Sequence, residues 1–425
     1  MARQNPGKLI ISGGNPLQGV VHIAGAKNSA LKLLAGSILA CGKVTLCNLP
    51  HLHDITFMMQ LLAGLGCDLN LLDDNCVEID TSHLRRLTIP YELIKAMRAS
   101  IVLLGPLLTL YKAADVALPG GCAIGVRPVD IHLEGLRKMG ADIQLQDGFI
   151  KARVQGKLKG ADIKMHTVTV TGTENLMMAA TLAEGKTILR HAAREPEVVD
   201  LANFLIKMGA KIEGAGTSTI RIEGVDELKP VKYSVIPDRI EAGTYLVAGA
   251  ITGGKVTVKN VDLNGLENII ERLEKCGAKI TSTKSSVTLD MQGQAPKPVD
   301  IKTAPHPGFP TDMQAQFMAL NCIAKGKSKI QENIWENRFM HVPELHRMGA
   351  DIVIKTNAAN ITGVEKLSGA PVTATDLRAS ASLVLAGLAA DGITVVEGVH
   401  HMDRGYEYLE EKLLGLGADI HRVGG

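Results

Sequence analysis

Six short segments of the chain share one pattern of apolar and polar positions. In each, an apolar residue or cysteine is followed by glycine, a small residue, aspartate or lysine, and another apolar residue. The six glycines are Gly66, Gly140, Gly209, Gly277, Gly349 and Gly417. They are separated by 74, 69, 68, 72 and 68 residues. This spacing predicts six structural units of about 70 residues each.

The residues around each glycine predict a common order of helices and strands. A helical pattern precedes the glycine, as in residues 263–275, and an alternating pattern typical of strands follows it, as in residues 278–289. The glycine is therefore interpreted as a helix C-cap. Earlier in the same unit, an apolar helix leads through another glycine into a β-branched strand, as in residues 179–189. The chain is thus predicted to be an α/β protein of six βαβαββ-like repeats.

The starts of the first helices also follow a recurring pattern, because they have the spacing of a capping box or of its aspartate analogue. It is formed by Thr171 with Glu174, Asp238 with Glu241, Thr311 with Gln314 and, in the sixth unit, Thr375-Asp376. Such helix starts have spare N–H donors that bind anions. The units are therefore expected to offer several anion-binding positions.

Composition narrows the range of functions. The 46 basic and 44 acidic residues leave a formal charge of +2, and aromatic residues make up only 3% of the chain. Both values argue against nucleic-acid binding. The longest strongly apolar stretch, residues 100–110, contains Gly105 and Pro106 and is too short to cross a membrane. Residues 1–8 are polar and lack the apolar centre of a signal peptide, so a cytosolic protein is expected.

Signals for metals and cofactors are weak. The seven cysteines are an odd number without a close-spaced pair, so free thiols are expected rather than disulfides or a zinc site. The histidines in residues 51–53 and 400–401 lack a third cluster that would complete a metal site. No Gly-x-Gly-x-x-Gly motif follows a strand, which argues against a dinucleotide cofactor. We predict neither a metal nor a cofactor.

Residues suited to chemistry occur at two recurring places in the units. The starts of the first helices carry Lys27, Asn28, Arg98, Asp312 and Arg378, and the loops before the second helices carry Cys122, Arg127, Glu195, Arg338 and Arg404. Any one of the cations is, by itself, typical of a solvated surface. Five of them recur at equivalent positions in different units, however, and arginine matches phosphate and carboxylate groups. An anionic ligand in a shared cleft is therefore expected.

The loop around Cys122 is long and rich in glycine, which is typical of a lid. The residues alone leave two interpretations of Cys122. It is either a small buried apolar side chain or a reactive thiol whose thiolate is favoured by Arg127. Asp312 likewise has two interpretations. It is either an acidic first-turn residue whose negative charge the helix dipole stabilises, or a member of the anion-binding site.

Five motifs together resemble one enzyme family over essentially the whole chain. They are Gly25-Ala-Lys27-Asn28, Pro119-Gly-Gly-Cys122-x-Ile-Gly-x-Arg127-Pro-Val-Asp130, the segment from Ala304 to Gln316, Glu336-Asn-Arg338-Phe-Met-His341 and Asp403-Arg404-Gly-Tyr406. The family they resemble is that of the UDP-N-acetylglucosamine 1-carboxyvinyltransferases. The resemblance implies an inside-out α/β barrel of two domains with three repeats each, and an active site in the cleft between the domains.

The resemblance also implies where the domains begin and end. One domain is residues 27–236 and carries the Cys122 loop. The other is residues 1–26 with 237–425 and carries Asp312, Arg378 and Arg404. The N-terminal strand is implied to return to this second domain.

The implied reaction transfers the enolpyruvyl group of phosphoenolpyruvate to the 3′-hydroxyl of UDP-N-acetylglucosamine and releases phosphate, as the first committed step of peptidoglycan synthesis. These two small molecules are the expected partners, and no obligate protein partner is expected. Catalytic roles are implied for Lys27, Cys122, Asp312 and Arg404. Cys122 matches a general acid that also forms a phospholactoyl adduct and is alkylated by fosfomycin. Asp312 matches a carboxylate that contacts the sugar hydroxyl, as its base or only as an orienting group.

Two sets of binding residues follow from the same resemblance. Phosphoenolpyruvate is implied to bind Lys27, Asn28, Arg127, Arg378 and Arg404. The nucleotide sugar is implied to bind Arg98, Arg127, Pro128, Val129, Asp130, Ile131, Thr167, Val168, Thr169, Val170, Asp312 and Ile334. Glu195 and Arg338 are expected in the cleft.

Three positions depart from the family pattern. Thr167 stands where some members have lysine, Trp335 replaces a usual phenylalanine, and Lys32 stands where proline is frequent. Two other functions remain open. One is the sister reaction on shikimate 3-phosphate, whose enzymes lack the Pro-Gly-Gly-Cys loop, and the other is a catalytically silent sensor that binds a nucleotide sugar.

Overall fold

The structure is a computed structural model that describes residues 7–84, 98–118 and 129–424. Of the expected site residues, Cys122, Arg127 and Pro128 lie outside these ranges. Arg98 is described in its backbone only, at the start of a short 3-10 helix.

Within the described ranges, the chain forms 23 strands and 12 α-helices. The strands are β1 (Lys8–Ser12), β2 (Gln18–His22), β3 (Lys43–Cys47), β4 (Asp68–Leu72), β5 (Cys76–Asp80), β6 (Ala113–Ala117), β7 (Asp142–Gln146), β8 (Phe149–Arg153), β9 (Asp162–Lys164), β10 (Lys186–Arg190), β11 (Lys211–Glu213), β12 (Thr219–Glu223), β13 (Lys232–Ser234), β14 (Lys255–Lys259), β15 (Lys279–Ser282), β16 (Ser286–Asp290), β17 (Ile301–Lys302), β18 (Lys327–Gln331), β19 (Asp351–Lys355), β20 (Ala358–Thr362), β21 (Pro371–Thr373), β22 (Ile393–Glu397) and β23 (Asp419–Val423). The α-helices are α1 (Lys27–Ser37), α2 (His53–Leu65), α3 (Leu104–Tyr111), α4 (Asp130–Lys138), α5 (Val170–Ala180), α6 (Pro196–Lys207), α7 (Arg239–Ile251), α8 (Glu267–Lys275), α9 (Gln314–Cys322), α10 (Val342–Arg347), α11 (Leu377–Ala389) and α12 (Leu409–Gly415). The 3-10 helices are Ile38–Ala40, Arg98–Leu103, Thr311–Met313 and Val399–Arg404.

The strands of the described ranges pair into six sheets, five with four strands and one with three. A complete repeat runs from β9 to β12, in which β9 and β10 are parallel and β12 is antiparallel to both β10 and β11. Helix α5 connects β9 to β10, and α6 connects β10 to the β11–β12 hairpin. The same pairing recurs from β17 to β20. The predicted βαβαββ order is thereby confirmed.

Three repeats are completed by strands from distant parts of the chain. Strand β2 pairs parallel with β14, and β13 pairs parallel with β3. Strand β1 lies between β22 and β23 and is antiparallel to both, which is the return of the N-terminal strand that the resemblance implies. Periodicity in the sequence did not predict these exchanges, because it does not record which strands pair.

The six repeat glycines all adopt a left-handed backbone conformation, with φ between 89° and 110°. In each case the next residue donates its N–H to the carbonyl five positions earlier, as Ala210 does to Leu205. This bond satisfies a carbonyl that the helix leaves unpaired. The predicted C-caps are confirmed, since other residues are strained at these φ values.

Two of the expected N-caps are confirmed and two are wrong. The side chains of Asp238 and Asp376 accept N–H groups from the first turns of α7 and α11. Helix α5, in contrast, is capped by Thr169 instead of Thr171, because Thr169 is the last extended residue before the helix. Thr311 does not cap α9, since it lies within a 3-10 helix and its hydroxyl donates to a glutamate outside the helix.

The expectation that the cysteines are free thiols is wrong for one pair. Cys47 and Cys76 form a disulfide, with Sγ atoms 2.03 Å apart. The pair stands one step beyond the antiparallel β3–β5 register, which brings together residues separated by 29 positions. Linear spacing did not reveal a contact that strand register creates. The free cysteines of the described ranges are Cys41, Cys67, Cys276 and Cys322.

The described residues divide into two compact units, each with its own apolar core. The N-terminal unit contains residues 25–84, 98–118 and 129–236, and the C-terminal unit contains residues 7–24 and 237–424. Phe204 is among the largest fully buried side chains of the first core, and Tyr245 and Phe317 are among those of the second. No helix in the ranges described is long and apolar enough to cross a membrane.

Candidate active site

A carboxylate held by two guanidinium groups is the main charged feature of the C-terminal unit. Asp312 lies in the 3-10 helix that leads into α9. Its Oδ1 accepts from Arg338 Nη2 and its Oδ2 from Arg378 Nη2, both at 2.8 Å. The two arginine side chains are 4% exposed and that of Asp312 is 26% exposed. The expected site residues Asp312, Arg338 and Arg378 are therefore in direct contact.

Arg378 is positioned by the helix that carries it and by an aromatic ring. It lies in the first turn of α11, where Asp376 accepts its N–H at 2.8 Å. Its guanidinium carbon is 5.6 Å from the centre of the Tyr406 ring. Burial alone would lower the pKa of Arg378, but the Asp312 carboxylate outweighs it and raises that pKa above its ordinary value. Arg378 is thus a permanent buried cation.

A small network of hydrogen bonds contacts the cluster of Asp312, Arg338 and Arg378. Gln316 in α9 donates to the Tyr406 hydroxyl at 3.1 Å, to the Thr244 hydroxyl at 3.1 Å and to the Asp312 carbonyl at 2.9 Å. The Thr244 and Tyr406 hydroxyls are 3.0 Å apart. These bonds fix the ring that faces Arg378 and the backbone that carries Asp312. No sequence pattern indicated these bonds, because they join α7, α9 and the loop after the last 3-10 helix.

In the N-terminal unit, Lys27 forms a buried ion pair that the sequence analysis missed. Lys27 is the first residue of α1, and its Nζ lies 2.7 Å from Asp54 Oδ2. The two side chains are 9% and 10% exposed. Asp54 follows the histidines that we examined only as metal ligands. The sequence signal for this ion pair was an acidic residue in the first turn of the adjacent helix α2.

Gly25 allows the chain to turn into α1. A side chain there would place its Cβ 1.8 Å from the Asn48 carbonyl oxygen, so only glycine fits. The Asn48 side chain donates to the Val235 carbonyl at 2.9 Å and fixes this contact. The first motif of the resemblance therefore has a structural reason: Gly25 permits the close approach that places Lys27 at the helix start.

Further polar residues of α1 are held from neighbouring helices. Lys32, which stands where proline was expected, donates to the Asn28 carbonyl at 2.8 Å and lies 3.4 Å from Glu174 Oε2. Glu174 is fully buried, and burial raises its pKa to about 7. Asp200 accepts from Ser29, and burial raises the pKa of that carboxyl as well. The departure at Lys32 thus introduces a buried ion pair.

The residues expected to bind the nucleotide sugar lie mainly at two helix starts of the N-terminal unit. Val129 precedes α4, and Asp130 begins it next to the buried Ile131. Asp130 Oδ2 lies 3.4 Å from His166 Nε2. Thr167 and Val168 precede Thr169, which caps α5, and Val170 is the first residue of that helix. A small hollow lies between α4 and the end of β9, and Ile131, Lys138 and His166 are among the residues that line it.

The remaining expected residues lie on short connections. Arg404 is half-buried and ends the 3-10 helix Val399–Arg404, which packs against α11. Glu195 precedes α6 and accepts the Arg194 N–H at 3.0 Å. Ile334 donates its N–H at 2.7 Å to Glu332, a buried residue that the sequence analysis did not identify. The ranges described contain no group of three or more histidine, cysteine or acidic residues that could hold a metal.

The chain is similar in sequence and in structure to known enzymes, and the similarity in sequence decides its family. The sequence model of EPSP synthase, 3-phosphoshikimate 1-carboxyvinyltransferase, matches residues 11–413. The chain belongs to the EPSP synthase family of enolpyruvyl transferases. It is also similar in structure to the enolpyruvyl transferase NikO from Streptomyces tendae, with 27% identity, 99% of each chain covered and a TM-score of 0.89.

Two solved structures of EPSP synthase from Acinetobacter baumannii share the fold at lower identity. One has 18% identity and a TM-score of 0.76, and the other has 19% identity and a TM-score of 0.75. In both, 98% of this chain and 100% of the other chain are covered. The predicted α/β fold of an enolpyruvyl transferase is thereby confirmed.

The charged residues suit the chemistry of an enolpyruvyl transferase. Phosphoenolpyruvate carries a phosphate and a carboxylate, and its phosphate leaves as an anion. Buried cations such as Lys27 and Arg378 stabilise such anions more strongly than exposed ones, because little water screens them.

Proposed function

We propose that this enolpyruvyl transferase uses UDP-N-acetylglucosamine as its acceptor and transfers the enolpyruvyl group of phosphoenolpyruvate to the 3′-hydroxyl of the sugar. The observation that carries this choice is the sequence motif from Pro119 to Asp130, which contains Cys122. Enzymes that act on shikimate 3-phosphate lack this motif. The product would enter peptidoglycan synthesis.

The reaction proceeds by addition and elimination. A proton is added to the methylene carbon of phosphoenolpyruvate while the sugar oxygen bonds to its central carbon and gives up its own proton. In the second step a proton leaves the new methyl group, the carbon–oxygen bond to phosphate breaks, and the enol ether forms. Cys122 delivers the first proton as general acid. Lys27, Asn28, Arg127 and Arg404 bind the phosphate and carboxylate.

Asp312 orients the acceptor hydroxyl in this proposal. The two guanidinium groups at 2.8 Å favour its carboxylate form, and a carboxylate stabilised in this way is a weak base. In the proposal, one of its carboxylate oxygens also accepts a hydrogen bond from the sugar hydroxyl. Arg378, which holds Asp312, is proposed to contact phosphoenolpyruvate as well, and so places the two substrates relative to each other.

The uridine diphosphate moiety is proposed to bind at the starts of α4 and α5. Helix N-termini favour anions, and Thr169 already fixes the first turn of α5 by accepting the Gly172 N–H. Arg98, Arg127 and Pro128 complete this set in the proposal, together with Ile334 of the C-terminal unit.

The sister reaction on shikimate 3-phosphate is the second candidate, because the matching family model bears the name of that enzyme. Phosphate release separates the two functions when it is measured with phosphoenolpyruvate and either acceptor. We expect release with UDP-N-acetylglucosamine and a product whose mass exceeds that of the acceptor by one enolpyruvyl group in place of hydrogen. Release with shikimate 3-phosphate alone would overturn the proposal, and release with neither would favour a sensor.

The role of Cys122 has its own test. Cys122→Ser is expected to lose nearly all turnover, because a serine hydroxyl is a far weaker acid than a thiol. Cys41→Ser is the matched control, since Cys41 is exposed and lies at the end of a 3-10 helix. Undiminished turnover of Cys122→Ser would remove this residue from the mechanism.

A further inference from the structure

Glu332 is a buried carboxylate that joins two segments of the C-terminal unit. It is 2% exposed and follows β18. Its Oε1 accepts from the Thr303 hydroxyl at 2.9 Å and from the N–H groups of Ile334 at 2.7 Å and Trp335 at 3.2 Å. Its Oε2 accepts from the Thr311 hydroxyl at 2.8 Å. Four donors thus converge on one side chain.

The two segments that Glu332 joins are those that carry the Asp312–Arg338 pair. Thr303 and Thr311 lie at the two ends of the loop before α9, and Asp312 follows Thr311 directly. Ile334 and Trp335 begin the loop that leads to Arg338. The carboxylate therefore fixes the Asp312 backbone from one side and the start of the Arg338 loop from the other.

The chemistry of these bonds makes Glu332 hard to replace. A carboxylate accepts several hydrogen bonds at once, and bonds to a charged acceptor are stronger than neutral ones. In a site this buried, a donor left without its acceptor loses the hydration that it has in the unfolded chain. Removal of Glu332 would leave two hydroxyls and two N–H groups to find new partners, so both loops would shift.

We propose that Glu332 is a positioning residue for the acceptor substrate. It acts through Thr311 on Asp312 and through the Ile334 and Trp335 backbone on the loop of Arg338. The proposal rests on the proposed role of Asp312 as the group that orients the acceptor hydroxyl. It assigns Glu332 no contact with either substrate, and it predicts that defects in Glu332 appear in the use of the acceptor and not in the binding of phosphoenolpyruvate.

The test compares steady-state constants for both substrates in three variants. Glu332→Ala is expected to lower kcat/KM for the acceptor about 100-fold, since a displacement of about 1 Å costs that much, while KM for phosphoenolpyruvate stays within about twofold. Glu332→Gln keeps one acceptor oxygen, so its kcat/KM for the acceptor should be at least about tenfold higher than that of Glu332→Ala. Thr311→Val removes a single donor and should cost about tenfold in the same constant. Glu365→Gln, an exposed residue of the same unit, is the matched control.

Each outcome decides the matter. Thr311→Val and Glu332→Gln keep the proposal testable if Glu332→Ala does not fold, which circular dichroism would show. Acceptor constants within about twofold of wild type in both variants would overturn the proposal, as would an equal change in KM for phosphoenolpyruvate. If the wild-type protein uses shikimate 3-phosphate instead, the proposed function fails, but the same comparison with that acceptor still tests Glu332.

Discussion

The two units hold their functional charges in different ways. In the C-terminal unit, the Asp312 carboxylate accepts from two guanidinium groups whose side chains are 4% exposed. In the N-terminal unit, the Lys27 ammonium pairs with the Asp54 carboxylate at 2.7 Å. Two rigid cations keep Asp312 in one place, whereas the lysine ammonium has three N–H donors and is able to contact Asp54 and an incoming phosphate at the same time. From this difference we propose that Asp312 is a fixed orienting group and that Lys27 is a ligand-binding group.

The largest expected effect comes from neutralising the fixed carboxylate. Asp312→Asn leaves Arg338 and Arg378 facing an amide, so the two buried cations repel each other without compensation. We expect kcat/KM for the acceptor to fall about 1000-fold, which is the upper range for loss of one preorganised group, and the free energy of unfolding to fall by about 2 kcal/mol.

Phosphate release and urea unfolding measure these two losses. Asp391→Asn is the control, since Asp391 pairs with Lys366 at 2.9 Å on the exposed surface of the same unit. Activity of Asp312→Asn within about twofold of that control would show that the two guanidinium groups do not hold a functional carboxylate.

Removal of the cation in the N-terminal unit is expected to have a smaller effect. Lys27→Met keeps the length of the side chain but removes the ammonium, and we expect kcat/KM for phosphoenolpyruvate to fall about 100-fold. The control is Lys43→Met, because Lys43 pairs with Glu78 at 3.1 Å but is exposed. An unchanged constant for phosphoenolpyruvate would contradict the ligand-binding role of Lys27.

Neutralising the partner of Lys27 sharpens the comparison further. Asp54→Asn leaves the ammonium in place but weakens the contact that aims it, so kcat/KM for phosphoenolpyruvate should fall only about tenfold, in line with a coupling of neighbouring groups. The effect should vanish in the background of Lys27→Met. A double variant in which the two losses simply add would show that Asp54 acts independently of Lys27.

The smallest effect concerns two buried glutamates, one in each unit. Burial raises the pKa of Glu174 and of Glu241 from 4.5 to about 7. Between these values the folded state binds more protons than the unfolded state, so the stability that each group contributes is present below pH 4.5 and is lost as the pH rises through 7. Glu174→Gln should therefore unfold like wild type near pH 5 and be more stable by about 1–2 kcal/mol near pH 8.

The same substitution at Glu241 should gain less at high pH. Glu241 accepts from the Ala24 N–H at 2.8 Å and from Lys412 at 2.7 Å, and the amide keeps only part of these bonds. Among the described residues, the carboxylate of Glu174 accepts no hydrogen bond and has one ion-pair partner, Lys32, at 3.4 Å. Urea unfolding at both pH values measures the difference, with the exposed Glu227→Gln as control. A larger gain in the free energy of unfolding for Glu241→Gln than for Glu174→Gln would contradict this prediction.

Local patterns in the sequence predicted much of the fold and less of the site. The repeat glycines marked the C-terminal end of one helix in each of the six units, because a positive φ restricts the residue type strongly. The parallel pairing of β2 with β14 and the disulfide between Cys47 and Cys76 arise from strand register, which leaves no local trace. The motif singled out Asp312, whose role in the site stays a prediction. The contacts of Asp54 and Glu332 were not predicted, since a buried acid without its partner in view resembles an ordinary loop residue.

The most direct test of the account is calorimetric binding of UDP-N-acetylglucosamine to Asp312→Asn and Lys27→Met, since binding needs no turnover. The account predicts that Asp312→Asn weakens this binding at least about tenfold, as expected for loss of a buried charged partner, whereas Lys27→Met binds the nucleotide sugar within about twofold of wild type. Equal loss in both variants, or loss only in Lys27→Met, would contradict the division of roles between the two units.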